Sequence, residues 1–198
     1  LEEEPSVRAS VEAGADVVMF SGDKLLCGPQ AGLIVGRRDC VDLVRSHPLY
    51  RAVRPGKLDL ASLEATLLAW RRAPEGLPAL PLYEMLGRDL ETLDAMAGRV
   101  ADGLDRLAGV RATCVETEGF LGSGSAPVRR VASRAVALDV AGASPDRLAD
   151  ALRRGDRRVH ARIDGDRVLL DVRTVFDEEI EPLIESVAAA AAAWEGAS

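Results

Sequence analysis

Two short apolar runs, Val17-Val18-Met19-Phe20 and Leu33-Ile34-Val35, flank a polar, glycine-bearing stretch from Ser21 to Gly32. Short runs rich in β-branched residues predict strands over 16–20 and 32–36, buried on both faces as in a parallel sheet. Gly22, Gly28, Gly32 and Pro29 preclude regular structure between them. A short helix over 6–15 precedes the first run, with Ser6 to cap it and Gly14 to end it. After the second run, Arg37-Arg38-Asp39 opens a helix with Val41, Leu43 and Val44 on its apolar side and Asp39 as its N-cap. His47-Pro48 stops that helix. The segment Leu49–Lys57 then reads as a basic loop bearing Arg51, Arg54 and Lys57, and Asp59 caps a helix whose Leu60, Leu63, Leu67 and Trp70 share a face.

Past Pro74–Pro78, which reads as a hinge, leucines and small apolar residues recur at three- and four-residue steps from Pro81 to Leu107. That spacing predicts one long helix, closed by Gly109. Val110–Val115 alternates as a half-buried strand should, and Ser133–Val140 is a second strand. Between them lies a second glycine-rich loop, Gly119–Pro127. Ser144-Pro145-Asp146 opens a helix that ends at Gly155, with Leu148 and Leu152 facing inward. Asp164-Gly165 between alternating segments predicts a hairpin, and a final helix runs from about Glu178 to Trp194. The second half is thus an α+β layer of three or four antiparallel strands on helices.

The chain has 198 residues, 47% apolar and 29% charged, which describes an ordinary globular protein. Its net charge of −7 argues against a general nucleic-acid-binding surface. Cys27, Cys40 and Cys114 are odd in number and without metal-ligand spacing, so they read as free thiols of a reducing compartment. His47 and His160 are the only histidines, too few for a His-rich metal site. No apolar run is long enough to span a membrane and no signal-peptide pattern is present, so the expected location is the cytoplasm. The chain opens Leu1-Glu2-Glu3-Glu4-Pro5 without Met and reaches its first strand within twenty residues, which reads as the C-terminal part of a longer protein.

Lys24 is the residue with a chemistry of its own to offer. The commoner role of a loop lysine is a solvated surface charge. A lysine delivered to a strand end and desolvated there loses its proton more readily, and a neutral amine captures carbonyls. The wording of the loop favours the second role. Ser21-Gly22-Asp23-Lys24-Leu25-Leu26-Cys27-Gly28-Pro29-Gln30-Ala31-Gly32 closely resembles the cofactor-lysine motif of bacterial selenocysteine synthase, L-seryl-tRNA(Sec) selenium transferase. One departure is Cys27, where that motif has glycine. The resemblance continues through His47-Pro48-Leu49, Arg51, Arg54, Lys57-Leu58 and Leu63–Leu67, then Gly122–Ser125 and the segment from Arg162 to Val175, so it covers nearly the whole chain.

The resemblance implies an α/β with α+β fold. Residues 1–76 would be the end of an aspartate-aminotransferase-like (fold type I) domain that binds pyridoxal 5′-phosphate, and residues 77–198 a small C-terminal α+β domain with an antiparallel sheet. It implies conversion of seryl-tRNA(Sec) to selenocysteinyl-tRNA(Sec) with selenophosphate, by a homo-oligomer that is decameric in the family. This piece alone would bind the cofactor weakly and not turn over. Lys24 would carry the cofactor and move the serine Cα proton, with Arg51 and Arg54 holding the anionic selenium donor. Ser21 would hydrogen-bond the cofactor phosphate, Asp23 would tune the site, and Gly28 and Gln30 would reach a neighbouring subunit's cofactor. Ser123 and Ser125, with Arg129 and Arg130 nearby, are further candidates, because the family places a similar loop near its active site.

Arg173 corresponds to an arginine that grips the substrate carboxylate in many enzymes of this fold. A seryl ester has no free carboxylate, so contacts to tRNA, to the donor anion or to a structural carboxylate stay open for it. Two other readings of the chain also stay open: a related pyridoxal-phosphate lyase acting on a small phosphorylated amino compound, and a catalytically silent oligomerisation module.

Overall fold

A computed structural model describes residues 6–73, 76–121, 126–192 and 194, with the side chains of residues 126–129 outside the description. The chain divides into two compact units, Leu1–Glu84 with Leu121–Val128, and Met85–Phe120 with Arg129–Ser198. The fold is mixed α and β with antiparallel sheets.

In the first unit, helix α1 (Val7–Glu12) is capped by Ser6, whose hydroxyl accepts the Ala9 N–H at 3.1 Å. Strands β1 (Val17–Ser21) and β2 (Gly32–Gly36) follow as predicted, but they pair with each other antiparallel, from Val17↔Gly36 to Ser21↔Gly32. Expectation and structure differ here because the link between the strands is a short loop with no crossover helix, and only antiparallel neighbours can be joined that way. Both strands are half-buried to exposed rather than buried on both faces.

In helix α2 (Arg38–Ser46) the N-cap position falls on Arg37, which makes no side-chain cap bond, and Asp39 lies inside the first turn; its carboxylate pairs with the Arg37 guanidinium, which holds it below the usual carboxylate range. Helix α3 (Pro48–Ala52) is a short turn started by Pro48, with the His47 Nδ1 accepting the Leu49 N–H at 3.2 Å. Helix α4 (Lys57–Arg71) begins two residues before Asp59, which serves as its third residue and accepts the Gly56 N–H at 3.0 Å. Its inward positions are Leu63, Thr66 and Trp70, while Leu60 and Leu67 are exposed. The apolar periodicity misplaced this face because the residue at its centre is a threonine.

The long helix predicted over 81–107 is two helices, α5 (Pro81–Gly87) and α6 (Leu90–Leu104). Asp89 restarts the second by accepting the Thr92 N–H at 2.8 Å. Leucines on both sides of the break keep the same period, so the pattern runs through a junction that only the Gly87-Arg88-Asp89 wording marks. Gly109 lies beyond the helix end, at φ +68, in the turn into the next strand.

The second unit carries the apolar core. Strands β3 (Val110–Leu121), β4 (Ala126–Val140), β5 (Arg162–Asp164) and β6 (Arg167–Asp171) form a sheet of order β3-β4-β6-β5. Helix α7 (Pro145–Arg154) is capped by Ser144, and helix α8 (Ile180–Ala191) closes the chain. Leu93, Val100 and Leu104 of α6 pack with Val136 and Leu138 of β4, Val168 of β6, Leu148 and Leu152 of α7, and Ile180 and Val187 of α8. Gly103 lets Ile184 sit where a Cβ would lie 2.4 Å from its Cδ1. The hairpin predicted at Asp164-Gly165 is present, with Gly165 at φ +61 as the first of its two loop residues. β3 and β4 are both longer than predicted and take up Gly119–Leu121 and Ala126–Pro127 from the expected loop.

Candidate active site

The loop from Gly22 to Ala31 is built as a closed ring of main chain. The Ser21↔Gly32 pair forms its neck, and the Gly22 N–H donates to the Ala31 carbonyl at 2.8 Å. The Gly28 N–H crosses the ring to the Gly22 carbonyl at 2.7 Å. Gly22 is needed on packing grounds, since a Cβ there would lie 2.6 Å from the Pro29 carbonyl oxygen, and Gly28 sits tightly, since a Cβ there would lie 3.1 Å from the Gly22 carbonyl oxygen. Lys24 starts a tight turn in which the Cys27 N–H donates to the Lys24 carbonyl at 2.9 Å. Cys27 closes that turn at φ +62, a left-handed conformation that favours glycine. The glycine of the resembling motif therefore has a backbone reason, and this chain departs from it at a strained position.

Two side chains brace the loop and a third lies against it. The Trp70 indole N–H donates to the Leu26 carbonyl at 3.0 Å, and the Tyr83 hydroxyl donates to the Leu25 carbonyl at 2.5 Å. Their rings meet edge to face with centroids 5.1 Å apart. Thr66 sits under Gly28, its Oγ1 3.5 Å from where a Cβ on that glycine would lie. Tyr83 is 4% exposed, and burial, with Cys27 beside it, pushes its phenol up to about 12. Burial raises the Cys27 thiol as well. Thr66 and Tyr83 were missed in the sequence. Their signal is weak there: a threonine in a leucine helix, and a tyrosine just past Pro81.

Ser21 is half-buried at the end of β1, Gly28 and Cys27 are half-buried, and Asp23, Lys24 and Gln30 are exposed. The structure thus brings Ser21, Asp23, Lys24, Gly28 and Gln30 together on one braced loop. Arg51 lies in the last turn of α3 and Arg54 two residues after its end, so the segment read as a basic loop begins with a short helix that carries only the first of the two arginines. Both are exposed. Among the described residues none of Lys24, Arg51 and Arg54 makes an ion pair or a side-chain hydrogen bond. Lys24 is exposed, so the described residues do not supply the desolvation expected of it.

Arg173 is committed elsewhere. Its guanidinium donates to the carbonyls of Met85 at 2.9 Å, Arg88 at 3.0 Å and Ala132 at 2.6 Å. Burial, together with the charge of Arg88, pulls it below the ordinary arginine range. That is the setting of a main-chain clamp, not of a substrate grip. Arg130 pairs with Glu118 at 2.7 Å. Ser123, Ser125 and the side chain of Arg129 lie outside the described residues. No helix among the described residues is long and apolar enough to cross a membrane.

Comparison with known proteins agrees with the loop. The model of the SelA family, L-seryl-tRNA selenium transferase, matches residues 1–176. A protein of Hyphomonas neptunium named L-seryl-tRNA(Sec) selenium transferase is 41% identical over 94% of this chain and 40% of its own length. Those of Geobacter sulfurreducens and Moorella thermoacetica are 40% and 42% identical, each over 93% of this chain and 40% of theirs. The chain therefore spans about 40% of the length of these relatives. Among solved structures, a D-glucosaminate-6-phosphate ammonia-lyase superposes with a TM-score of 0.57 at 21% identity, over 96% of this chain and 48% of the lyase, a likeness of fold alone. With a family match that runs from the first residue through the lysine loop to Phe176, the chain belongs to the L-seryl-tRNA selenium transferase family.

Proposed function

We propose that this chain is the lysine-loop portion of an enzyme that converts seryl-tRNA(Sec) to selenocysteinyl-tRNA(Sec), with pyridoxal 5′-phosphate on Lys24 and selenophosphate as the donor. The observation that carries the reading is the family match over residues 1–176 with the lysine loop inside it. The residues present suit the cofactor. Lys24 offers an amine without a partner among the described residues, on a loop that Trp70 and Tyr83 hold in place, and Ser21 offers a hydroxyl at the loop's neck.

When bound, the cofactor supplies an electron sink that acidifies the serine Cα proton. The Lys24 amine removes and returns protons at that carbon. Arg51 and Arg54, whose guanidinium groups have no partner among the described residues, hold the selenium-donor anion and then the phosphate it leaves. Ser21 anchors the cofactor phosphate, and Asp23, Gly28 and Gln30 complete the cofactor's surroundings. In the same reading residues 1–76 belong to a fold type I large domain, residues 77–198 form the small domain, and the protein works in the cytoplasm as a homo-oligomer. The exposed Lys24 fits the view that this piece alone does not turn over. The lyase reading has only a likeness of fold behind it.

The test is chemical. The full-length protein is incubated with pyridoxal 5′-phosphate, reduced with borohydride and mapped by peptide mass. The phosphopyridoxyl group is expected on Lys24, and Lys24→Ala should abolish both the label and selenium transfer. A label that survives Lys24→Ala unchanged would remove the reading.

A further inference from the structure

In a chain of net charge −7, the stretch from Arg153 to Arg162 holds five arginines and His160 against a single aspartate, Asp156. It runs from the last turn of α7 through a loop to β5. The loop is fixed: the Gly155 N–H donates to the Ala151 carbonyl and the Val159 N–H to the Leu152 carbonyl, each at 3.0 Å, and Val159 packs against the core. Arg157, Arg158 and His160 are therefore presented by a held backbone.

They border two clefts that follow α8. One, of about 590 Å³, has Arg158 and His160 at its edge and Leu169, Val175 and Leu183 in its wall. The other, of about 620 Å³, lies between the end of α7 and α8, with Arg154 at its edge and Ala189 in its wall. Arg157 and Ser186 line both, so the two form one groove with the Arg157–Glu185 ion pair at its middle. Most carboxylates that line it are already engaged. Glu185 pairs with Arg157, Asp171 accepts the Ser133 hydroxyl at 2.6 Å and the Arg173 N–H at 3.1 Å, and Glu179 accepts the Phe176 N–H at 2.8 Å. Arg153 and Arg154 share Asp150, and Arg162 donates to the Glu118 carbonyl at 3.0 Å. Among the described residues Arg158 and His160 have no such partner.

We propose that this groove binds the phosphodiester backbone of an RNA. The inference rests on the reading above that the substrate is an aminoacyl-tRNA. Arg157, Arg158 and Arg162 line one cleft and Arg154 and Arg157 the other, so the arginines are divided along the groove, which suits a line of phosphates better than a single anion. Among the described residues no Phe, Tyr or Trp lines either cleft, so the contact is chiefly to the backbone and not to stacked bases.

The experiment measures binding of a fluorescently labelled serine-accepting tRNA to this chain by anisotropy, from 50 to 200 mM salt. The variants are Arg158→Glu, Arg154→Glu/Arg158→Glu and, as a matched charge change outside the groove, Arg106→Glu. The double variant should weaken binding about tenfold or more at 100 mM salt and flatten the slope of log K against log salt by about one for each phosphate no longer neutralised. Arg158→Lys should retain most of the affinity, and Arg106→Glu should leave both quantities as in the parent. Melting curves confirm that each variant is folded; Arg158 is exposed and has no partner to lose among the described residues.

Parent chain that does not bind the RNA, or a double variant that binds with the same affinity and slope, overturns the proposal. So does displacement of the RNA by sub-millimolar inorganic phosphate at constant ionic strength, which would make the groove a small-anion pocket. Cofactor capture on Lys24 involves none of these residues, so failure of the groove and failure of the catalytic reading are told apart.

Discussion

Arg88 and Arg173 hold each other's main chain. The Arg88 guanidinium donates to the Arg173 carbonyl at 3.1 Å, and the Arg173 guanidinium donates to the Arg88 carbonyl at 3.0 Å. Arg88 also reaches the Val175 carbonyl at 2.6 Å and lies over the Phe176 ring, 5.3 Å from its centroid. The clasp joins the α5–α6 junction to the turn that follows β6. Carbonyls left over at a helix end and in a short 3-10 turn need donors, and an arginine fork serves several at once. Arg173→Met should therefore cost about 3 kcal/mol of stability, from the missing charged hydrogen bonds and carbonyls left without a donor. Urea unfolding checks it. A substrate-gripping arginine would instead leave stability intact and raise KM, so normal unfolding with a selective KM defect would return Arg173 to the active site.

The clasp also marks where sequence reading stops. The leucine period ran straight through residues 87–89, because a broken helix pair and one long helix can bury the same positions. The caps at Ser6 and Ser144 and the Gly165 hairpin were legible, since each depends on neighbours in sequence. Antiparallel pairing of β1 with β2 was not, because a buried apolar run is silent about its partner's direction. The lysine loop was legible from its wording. Its braces were not: Trp70 and Tyr83 act 44 and 58 residues from the carbonyls they hold, a distance at which no local pattern forms.

Cys27 tests the backbone argument for the loop. At φ +62 a non-glycine residue is held in a conformation that costs about 1 kcal/mol, while glycine there costs a similar amount in unfolded-chain entropy. Cys27→Gly should accordingly leave the thermal midpoint near that of the parent chain. Cys27→Val should lower it clearly, because a β-branched side chain is a stronger outlier at that φ. Equal midpoints for the two variants would show that the turn relaxes and that the left-handed geometry is not required.

Tyr83 gives the loop a pH signature. Its phenol is pushed up to about 12 in the folded chain, chiefly by burial, against an ordinary value near 10. A phenol whose folded-state value is raised favours folding while it keeps its proton. Its contribution is complete below about pH 10 and is lost as pH rises towards about 12. Stability measured by denaturant should fall across that window in the parent chain and fall less in Tyr83→Phe. At neutral pH the same variant should be less stable by about 1 kcal/mol, because the Leu25 carbonyl loses its donor. Identical slopes above pH 10 would place the Tyr83 hydroxyl in water.

Trp70 separates bracing from packing. Trp70→Phe keeps an aromatic ring against Tyr83 but removes the N–H that holds the Leu26 carbonyl. Hydrogen exchange of the amides of residues 24–28 should speed up several-fold while exchange in β4 and α6 stays as in the parent, since the change is local. Cofactor capture on Lys24 in the full-length protein should weaken with it, because an amine on a looser loop is less well placed. Unchanged exchange at residues 24–28 would mean that the ring contact alone fixes the loop.

The last prediction concerns the surface of the first unit, whose buried hydrophobic side chains among the described residues are Tyr83 and Leu121. Met19, Leu43, Val53 and Leu58 are each at least 74% exposed, and Leu49 and Tyr50 are exposed beside them in sequence. Apolar area in water costs roughly 25 cal/mol per Å² relative to burial, and proteins with large exposed apolar patches associate. The segment from Leu49 to Leu58 also carries Arg51 and Arg54, so association through it would bury the neighbours of both candidate donor-binding arginines. This chain should self-associate at micromolar concentration in sedimentation velocity. Val53→Lys/Leu58→Lys should shift it towards monomer without changing the melting of the second unit, whose core lies in other residues. A parent chain that sediments as a monomer at about 100 µM, where even weak interfaces fill, would remove this surface from the case for a homo-oligomer.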